Sequence, residues 1–266
     1  MLIFASLVCL DCGMVWLYES LWGQELMIAG VFFDLGGTLF DYEHAGSKTG
    51  LKLMESIATF AGGDRFKPEE IGRAYWQANR VISKSYAELD YYLHADMFRA
   101  TYSEAVKQLE LEFDEETYQT FSAYQHENIV KGLTLKEDCR STLTALKDKG
   151  LYLSIVSNID EDMLQPLVQR ENLHDVMDHW TSSEAAESCK PHEKFFNVSL
   201  EKAELEAHQV MFVGDSPEHD VNGAGALGMR TVLIKNGELA APLQSGADVR
   251  APDHVIHSLS ELIGIV

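Results

Sequence analysis

The sequence predicts an α/β fold, a doubly wound parallel sheet into which an all-helical block is inserted, and three observations predict it. Short apolar runs (Val31–Phe33, Leu151–Val156, Val210–Val213) each stop abruptly at polar residues and glycines, as buried parallel strands do. From residue 137 onward such runs alternate with amphipathic stretches, the pattern of right-handed crossovers with helices on both sheet faces. Between residues 43 and 130 the helical period runs on with no strand-like alternation.

Taken in order, Val31–Phe33 is the first strand, and it delivers Asp34 into the tight turn Leu35-Gly36-Gly37-Thr38-Leu39. Open α/β sheets bind their ligands at such carboxyl ends. Four helices follow: Ser47–Ala61, ended by Gly62-Gly63; Pro68 to about Leu89; Ala95–Leu111; and Glu115–Glu127. Their aromatics, among them Tyr75, Trp76, Tyr91, Tyr92, Tyr102, Tyr118 and Phe121, are expected in the core of this block. Helix Glu137–Lys149 stops at Gly150, and strand Leu151–Val156 and helix Asp162–Glu171 come next. Helix Glu193–Ala203, strand Val210–Val213 and a helix over Asp220–Leu227 stopped by Gly228 continue the alternation. Strands Thr231–Ile234 and His254–Ile256 and a closing helix Leu259–Ile263 complete it. The expected organisation is an α/β core over 27–42 and 131–266, an inserted all-helical block over 43–130, and an extension over 1–26.

A chain of 266 residues that is 46% hydrophobic and 24% charged can bury a sizeable core. Its net charge of -21 repels polyanions, which excludes nucleic acid as a partner and requires any anionic ligand to be held by local cations. Cys9, Cys12, Cys139 and Cys189 are too few and too scattered for a disulfide scaffold, so a reducing compartment, the cytoplasm, is expected. Met1–Tyr18 is apolar, but it contains Asp11 and no Lys or Arg precedes Lys48, so it suits neither a signal peptide nor a membrane span. Met27 opens the first strand directly, consistent with an upstream start codon read in its place. Cys9 and Cys12 have the spacing of a redox or metal pair without a second pair to complete it.

Three polar clusters close later apolar runs or follow them: Ser157-Asn158, Lys190-Pro191, and Gly214-Asp215 with Asp220. Taken singly they read as a strand-end turn, a surface lysine and a helix cap. In series at strand ends, they imply one assembled site. A carboxylate such as Asp34 can attack a phosphoryl group to form an aspartyl-phosphate, provided cations offset the charge of the target. Mg²⁺, with its octahedral oxygen shell, needs only Asp34, a backbone carbonyl two residues on (Gly36) and Asp215, with Asp220 as a further ligand or as support for a bound water. Lys190 would neutralise phosphoryl oxygens, and the Ser157 hydroxyl would donate to them.

The runs Val31-Phe32-Phe33-Asp34-Leu35-Gly36-Gly37-Thr38-Leu39-Phe40, Ile155-Val156-Ser157-Asn158, Cys189-Lys190-Pro191 and Val213-Gly214-Asp215-Ser216-Pro217-Glu218-His219-Asp220 resemble the motifs of the haloacid-dehalogenase-like hydrolase superfamily. The likeness extends from Ile28 to the end through Val221–Ala224 and Leu227–Thr231. It implies a Rossmannoid core with a helical cap inserted after the first motif, and a Mg²⁺-dependent phosphatase acting on a small phosphorylated substrate. Asp34 would be the nucleophile, Lys190 the charge-balancing cation, Thr38, Ser157 and Asn158 substrate ligands, and Asp34, Gly36, Asp215 and Asp220 the metal site.

The chain departs from that pattern at Gly36, where phosphatases of the family carry a second aspartate that protonates the leaving group. General acid–base help is worth roughly 10²–10⁴-fold, so ester hydrolysis is expected to be slow while metal binding survives. Asp41, Glu43 or His44 are alternative proton sources, and Lys48, Lys52, Lys67 and Lys84 are the lysines a phosphonate-type enzyme would draw on. A phosphonate- or acyl-phosphate-type hydrolase, and a non-catalytic regulatory protein that binds metal and phosphate, are the alternatives. Arg65, Arg73, Arg80 and Arg99 are candidate anion contacts that read more simply as solvated helix arginines.

Overall fold

The structure is a computed structural model that describes residues 27–41, 65–235, 237, 241, 244 and 246–266. Expectations for 1–26, for the helix over 47–61 and for Glu43, His44, Lys48 and Lys52 lie outside the described residues.

Six parallel strands form the central sheet: β1 (Gly30–Phe33), β4 (Tyr152–Ser157), β5 (His179–Ser182), β6 (Val210–Gly214), β7 (Arg230–Ile234) and β8 (His254–Ile256), in the spatial order β5-β4-β1-β6-β7-β8. Side chains alternate across it as strand geometry requires. Val31, Phe33, Ile155 and Val213 enter the core on one face, and Phe32, Val156 and Phe212 pack with Phe195 and Phe196 on the other. Because both faces are covered, the strands read as unbroken apolar runs.

β1 lies between β4 and β6, so strand order reverses on either side of it, and that is where an α/β sheet opens a crevice. Register sets what the crevice contains. Phe33 pairs with Ile155 on one side and Val213 on the other, so Asp34, Ser157 and Asp215 all emerge within two residues of one level.

The described helices are α1 (Pro68–Tyr86), α2 (His94–Gln108), α3 (Glu115–Gly132), α4 (Cys139–Asp148), α5 (Glu161–Arg170), α6 (Ser183–Ala186), α7 (Glu193–Ala203) and α8 (Gly223–Ala226). α1, α2 and α3 pack around Ile71, Tyr102, Val106, Tyr118 and Phe121. Tyr92, Tyr102, Tyr118 and Phe121 are buried as expected, whereas Trp76 and Tyr91 are exposed. A two-residue ribbon joins this block to the sheet: β2 (Phe40–Asp41) pairs antiparallel with β3 (Thr134–Leu135).

Several elements differ from the sequence reading. β5, His-Trp-Thr-Ser, is short and polar because it is an edge strand. The ribbon strands are too short for any period to register. In place of one helix from Asp220, a π-turn over Pro217–Asn222 precedes α8, and the closing segment Leu259–Gly264 is a 3₁₀ helix. The π-turn arises because Ser216 caps it, its hydroxyl accepting from the His219 amide at 3.0 Å, while its own N–H donates to Asp220 at 2.9 Å.

Candidate active site

The Asp34 turn follows from its glycines. Asp34 still belongs to the sheet, its N–H donating to the Val213 carbonyl at 2.9 Å. The chain then folds back: the Leu39 and Phe40 amides both donate to the Leu35 carbonyl at 2.9 Å, and Gly37 takes a φ of 74°, open at little cost only to glycine. Gly36 forms a parallel bridge with Phe40. Thr38 is fully buried inside the turn, and its hydroxyl oxygen has no hydrogen-bond partner among the described residues.

Two donors converge on one oxygen of Asp34. Ser157 Oγ donates to Oδ1 at 2.9 Å and Lys190 Nζ donates to it at 2.6 Å. The same ammonium donates to Asp220 Oδ1 at 2.7 Å, although Lys190 is only 4% exposed and Asp220 1%. A buried ammonium is stable only when paired, and here two carboxylates share it. Burial pulls the Lys190 pKa down, but the charges of Asp220 and Asp34 outweigh that and hold it above its ordinary value.

Asp215 completes an acidic group. Asp34, Asp215 and Asp220 each offer an oxygen within 4.8 Å of the other two. Burial, followed by the charges of Asp34 and Asp220, pushes Asp215 up to about 8. Asp220 is pushed up to about 6, again chiefly by burial, with Lys190 opposing the shift. Three clustered hard oxygen donors, two of them, Asp215 and Asp220, disfavoured as bare anions by burial, are a set a divalent cation satisfies, so these residues suit Mg²⁺. Gly214 makes the arrangement possible: a Cβ there would lie 2.1 Å from Asp220 Oδ2.

The structure therefore brings Asp34, Ser157, Lys190, Asp215 and Asp220 together, with Gly36 and Thr38 in the adjoining turn. Asn158 lies beside them: its Nδ2 donates to the Lys190 carbonyl at 3.1 Å and its Oδ1 accepts from the Lys190 amide at 2.7 Å, which ties the serine loop to the lysine loop. Arg99 is likewise engaged, bonded to Glu115 and lying over Phe113 and Tyr118.

Sequence reasoning missed two residues beside this site. Asp160 precedes α5 and reads as its N-cap, yet its side chain makes no bond to that helix and holds α2 instead. Lys136 follows β3, its amide donating to the Leu39 carbonyl at 2.9 Å, and is half-buried. Burial lowers the Lys136 pKa against the opposing charges of Asp41 and Asp215. No motif marks either residue.

The chain is 26% identical over 250 residues to a ribulose-1,5-bisphosphate 5-phosphatase of Halopiger xanaduensis, covering 90% of this chain and 100% of that protein. It is 27% identical over 241 residues to a glyceraldehyde 3-phosphate phosphatase of Methanocaldococcus jannaschii, covering 90% and 97% of the two chains. Among solved structures, an L-2-haloacid dehalogenase of Xanthobacter autotrophicus superposes with a TM-score of 0.64 at 24% identity over 90% of this chain and 98% of its own, a likeness of fold. The family model for haloacid dehalogenase-like hydrolases matches residues 31–234, from the first strand through β7, and the chain belongs to that family of hydrolases.

Proposed function

We propose that the protein is a Mg²⁺-dependent phosphatase that removes phosphate from a small phosphorylated metabolite through an aspartyl-phosphate on Asp34. One observation carries the reading: a serine hydroxyl and a buried ammonium meet on a single Asp34 oxygen, beside two further carboxylates. The Asp34 oxygen not engaged by those donors attacks phosphorus while the bond from phosphorus to the metabolite's oxygen breaks, and the metabolite leaves with that oxygen, taking its proton from water because Gly36 offers none. Ser157 and Lys190 are placed to hold the phosphoryl oxygens as charge develops on them. Asp34, Asp215, Asp220 and the Gly36 carbonyl would hold Mg²⁺, which supplies charge neutralisation for two anions brought together. The unpartnered Thr38 hydroxyl lies inside the same turn, ready to donate when a ligand or a shift of the turn supplies an acceptor. Water then hydrolyses the acyl phosphate and restores Asp34.

Asp215 and Asp220 favour this chemistry over dehalogenation, which has no use for a cation site of this kind. The phosphatases among the relatives act, by name, on ribulose-1,5-bisphosphate and glyceraldehyde 3-phosphate, which supports a substrate of that size. In this reading the helical block over 43–130 is the cap that selects the substrate, set on a core of 27–42 and 131–266, and the protein works in the cytoplasm.

Gly36 favours a second reading, in which an acyl phosphate, whose leaving group needs no proton, is the better substrate. The test is phosphate release with Mg²⁺ from p-nitrophenyl phosphate and acetyl phosphate, alongside Asp34→Asn. Release that is lost in Asp34→Asn is expected. Magnesium binding with turnover of neither compound would instead point to a regulatory module.

A further inference from the structure

The segment Asp90–Ala95, which links α1 to α2, lies across two loops of the core. On the lysine loop, the Cys189 amide donates to the Asp90 carbonyl at 2.8 Å, and His192 Nε2 lies 3.3 Å from Asp90 Oδ1. Tyr92, Met97 and Cys189 are buried together between the two bodies. On the serine loop, Asp160 Oδ1 accepts from the His94 amide and Oδ2 from the Ala95 amide, both at 2.8 Å, with His94 Nδ1 3.3 Å from Oδ1. The two loops are joined to each other by the Asn158–Lys190 bonds. Asp160 is three residues from Ser157, and Cys189 is next to Lys190.

Such a carboxylate is costly to bury, and Asp160 is only 3% exposed. Its own helix takes no bond from it. Its two oxygens are instead matched to the first two amides of α2, which would otherwise lack partners.

We propose that Asp160 is a positioning residue for the reaction: by fixing residues 90–95 across both loops, it holds Ser157 and Lys190 on the Asp34 carboxylate. The proposal rests on the phosphatase reading of the site. A displacement of about 1 Å at a catalytic group costs on the order of 10²-fold. Ser157 and Lys190 meet charge that develops in the transition state, so loosening them lowers kcat and leaves KM nearly alone.

Three variants test it on the full chain with Mg²⁺ and acetyl phosphate. Asp160→Ala removes the acceptor. His94→Pro removes the amide donor and the imidazole, and suits the site because His94 is the first residue of α2 and Leu93 before it is already extended (φ -91°, ψ 139°). His94→Ala removes the imidazole alone. Asp160→Ala and His94→Pro are each expected to lower kcat at least about tenfold with KM within about threefold, measured well below their melting temperatures. His94→Ala is expected to fall short of both. The double variant Asp160→Ala/His94→Pro should be no worse than either single one, because one contact is removed twice. Unchanged kcat in the two single variants, despite lower melting temperatures, would reduce Asp160 to a structural tether and overturn the proposal, as would multiplicative losses in the double variant. If the wild type turns over neither acetyl phosphate nor p-nitrophenyl phosphate, the phosphatase reading fails and the strap is judged by amide exchange. Faster exchange at Cys189 and Lys190 in Asp160→Ala then supports it, and wild-type protection there overturns it.

Discussion

Lys190 Nζ lies 2.6 Å from Asp34 Oδ1 and reaches Asp220 with the same ammonium, so one cation separates two buried carboxylates. Lys190→Met keeps most of the volume and removes the charge. Breaking a buried pair by removing one partner costs roughly 3–5 kcal/mol. The urea midpoint in EDTA is expected to fall accordingly, Mg²⁺ to restore part of the loss, and turnover to fall by about 10²-fold or more. An unchanged midpoint in EDTA would mean that protons replace the lysine at no cost, contrary to this account.

The acid pair makes metal-free stability depend on pH. Burial and the nearby Asp34 charge push Asp215 up to about 8 and Asp220, against the opposing pull of Lys190, up to about 6, well above the unfolded value of about 3.9. A group whose folded pKa is raised holds more protons folded than unfolded, so its stability is fully present below about pH 4 and is lost as pH rises toward 8. Mg²⁺ held by these carboxylates, as proposed, would have to displace those protons, so its stabilising effect is expected to grow over the same window. Melting temperatures in EDTA and in Mg²⁺ at pH 5.5 and pH 8 are expected to diverge more at pH 8, and Asp215→Asn to flatten the EDTA series. A gap equal at both pH values would mean the metal does not bind these carboxylates.

The residues legible in the sequence are those whose chemistry coincides with a strand end. Asp34, Ser157 and Asp215 each terminate an apolar run, and the pairing of Phe33 with Ile155 and Val213 turns three distant positions into one level of one crevice. Lys190 and Asp220 were legible through order and type, although their 2.7 Å contact depends on a π-turn that helical periodicity conceals. Asp160 was missed, and the bonds of Asn158 to the lysine loop were not foreseen, for a shared reason. Both sit where a turn or cap explains them locally, and their partners, Lys190 and the start of α2, are 32 and 66 residues away in the chain. β5 was missed because an edge strand need not be apolar.

In the proposed phosphatase, Gly36 stands where the leaving-group acid is missing. The strained conformation in the turn falls on Gly37, with φ at 74°, and not on Gly36. Gly36→Asp is therefore expected to be accepted by the backbone and to supply the missing acid. Hydrolysis of an alkyl phosphate such as glycerol phosphate, whose basic leaving group needs a proton, should rise about tenfold or more, while acetyl phosphate changes little. Equal changes on the two substrates would show that leaving-group protonation is not what limits this enzyme.

Gly214 governs the acid pair through space it does not occupy. The Cβ of an alanine there would stand 2.1 Å from Asp220 Oδ2 and 2.5 Å from its Cβ, distances no rotamer shift of Asp220 removes while it keeps its bonds to Lys190 and the Ser216 amide. Asp220 must leave, and with it go the second partner of Lys190 and one of the proposed metal ligands. Gly214→Ala is thus expected to lose at least about 10²-fold in turnover, as deletion of one charge-stabilising group does. It should also lose most of the Mg²⁺-dependent rise in melting temperature, while its far-ultraviolet dichroism stays that of the wild type. Wild-type turnover in Gly214→Ala would mean that Asp220 is dispensable and that the site works with Asp34 and Asp215 alone.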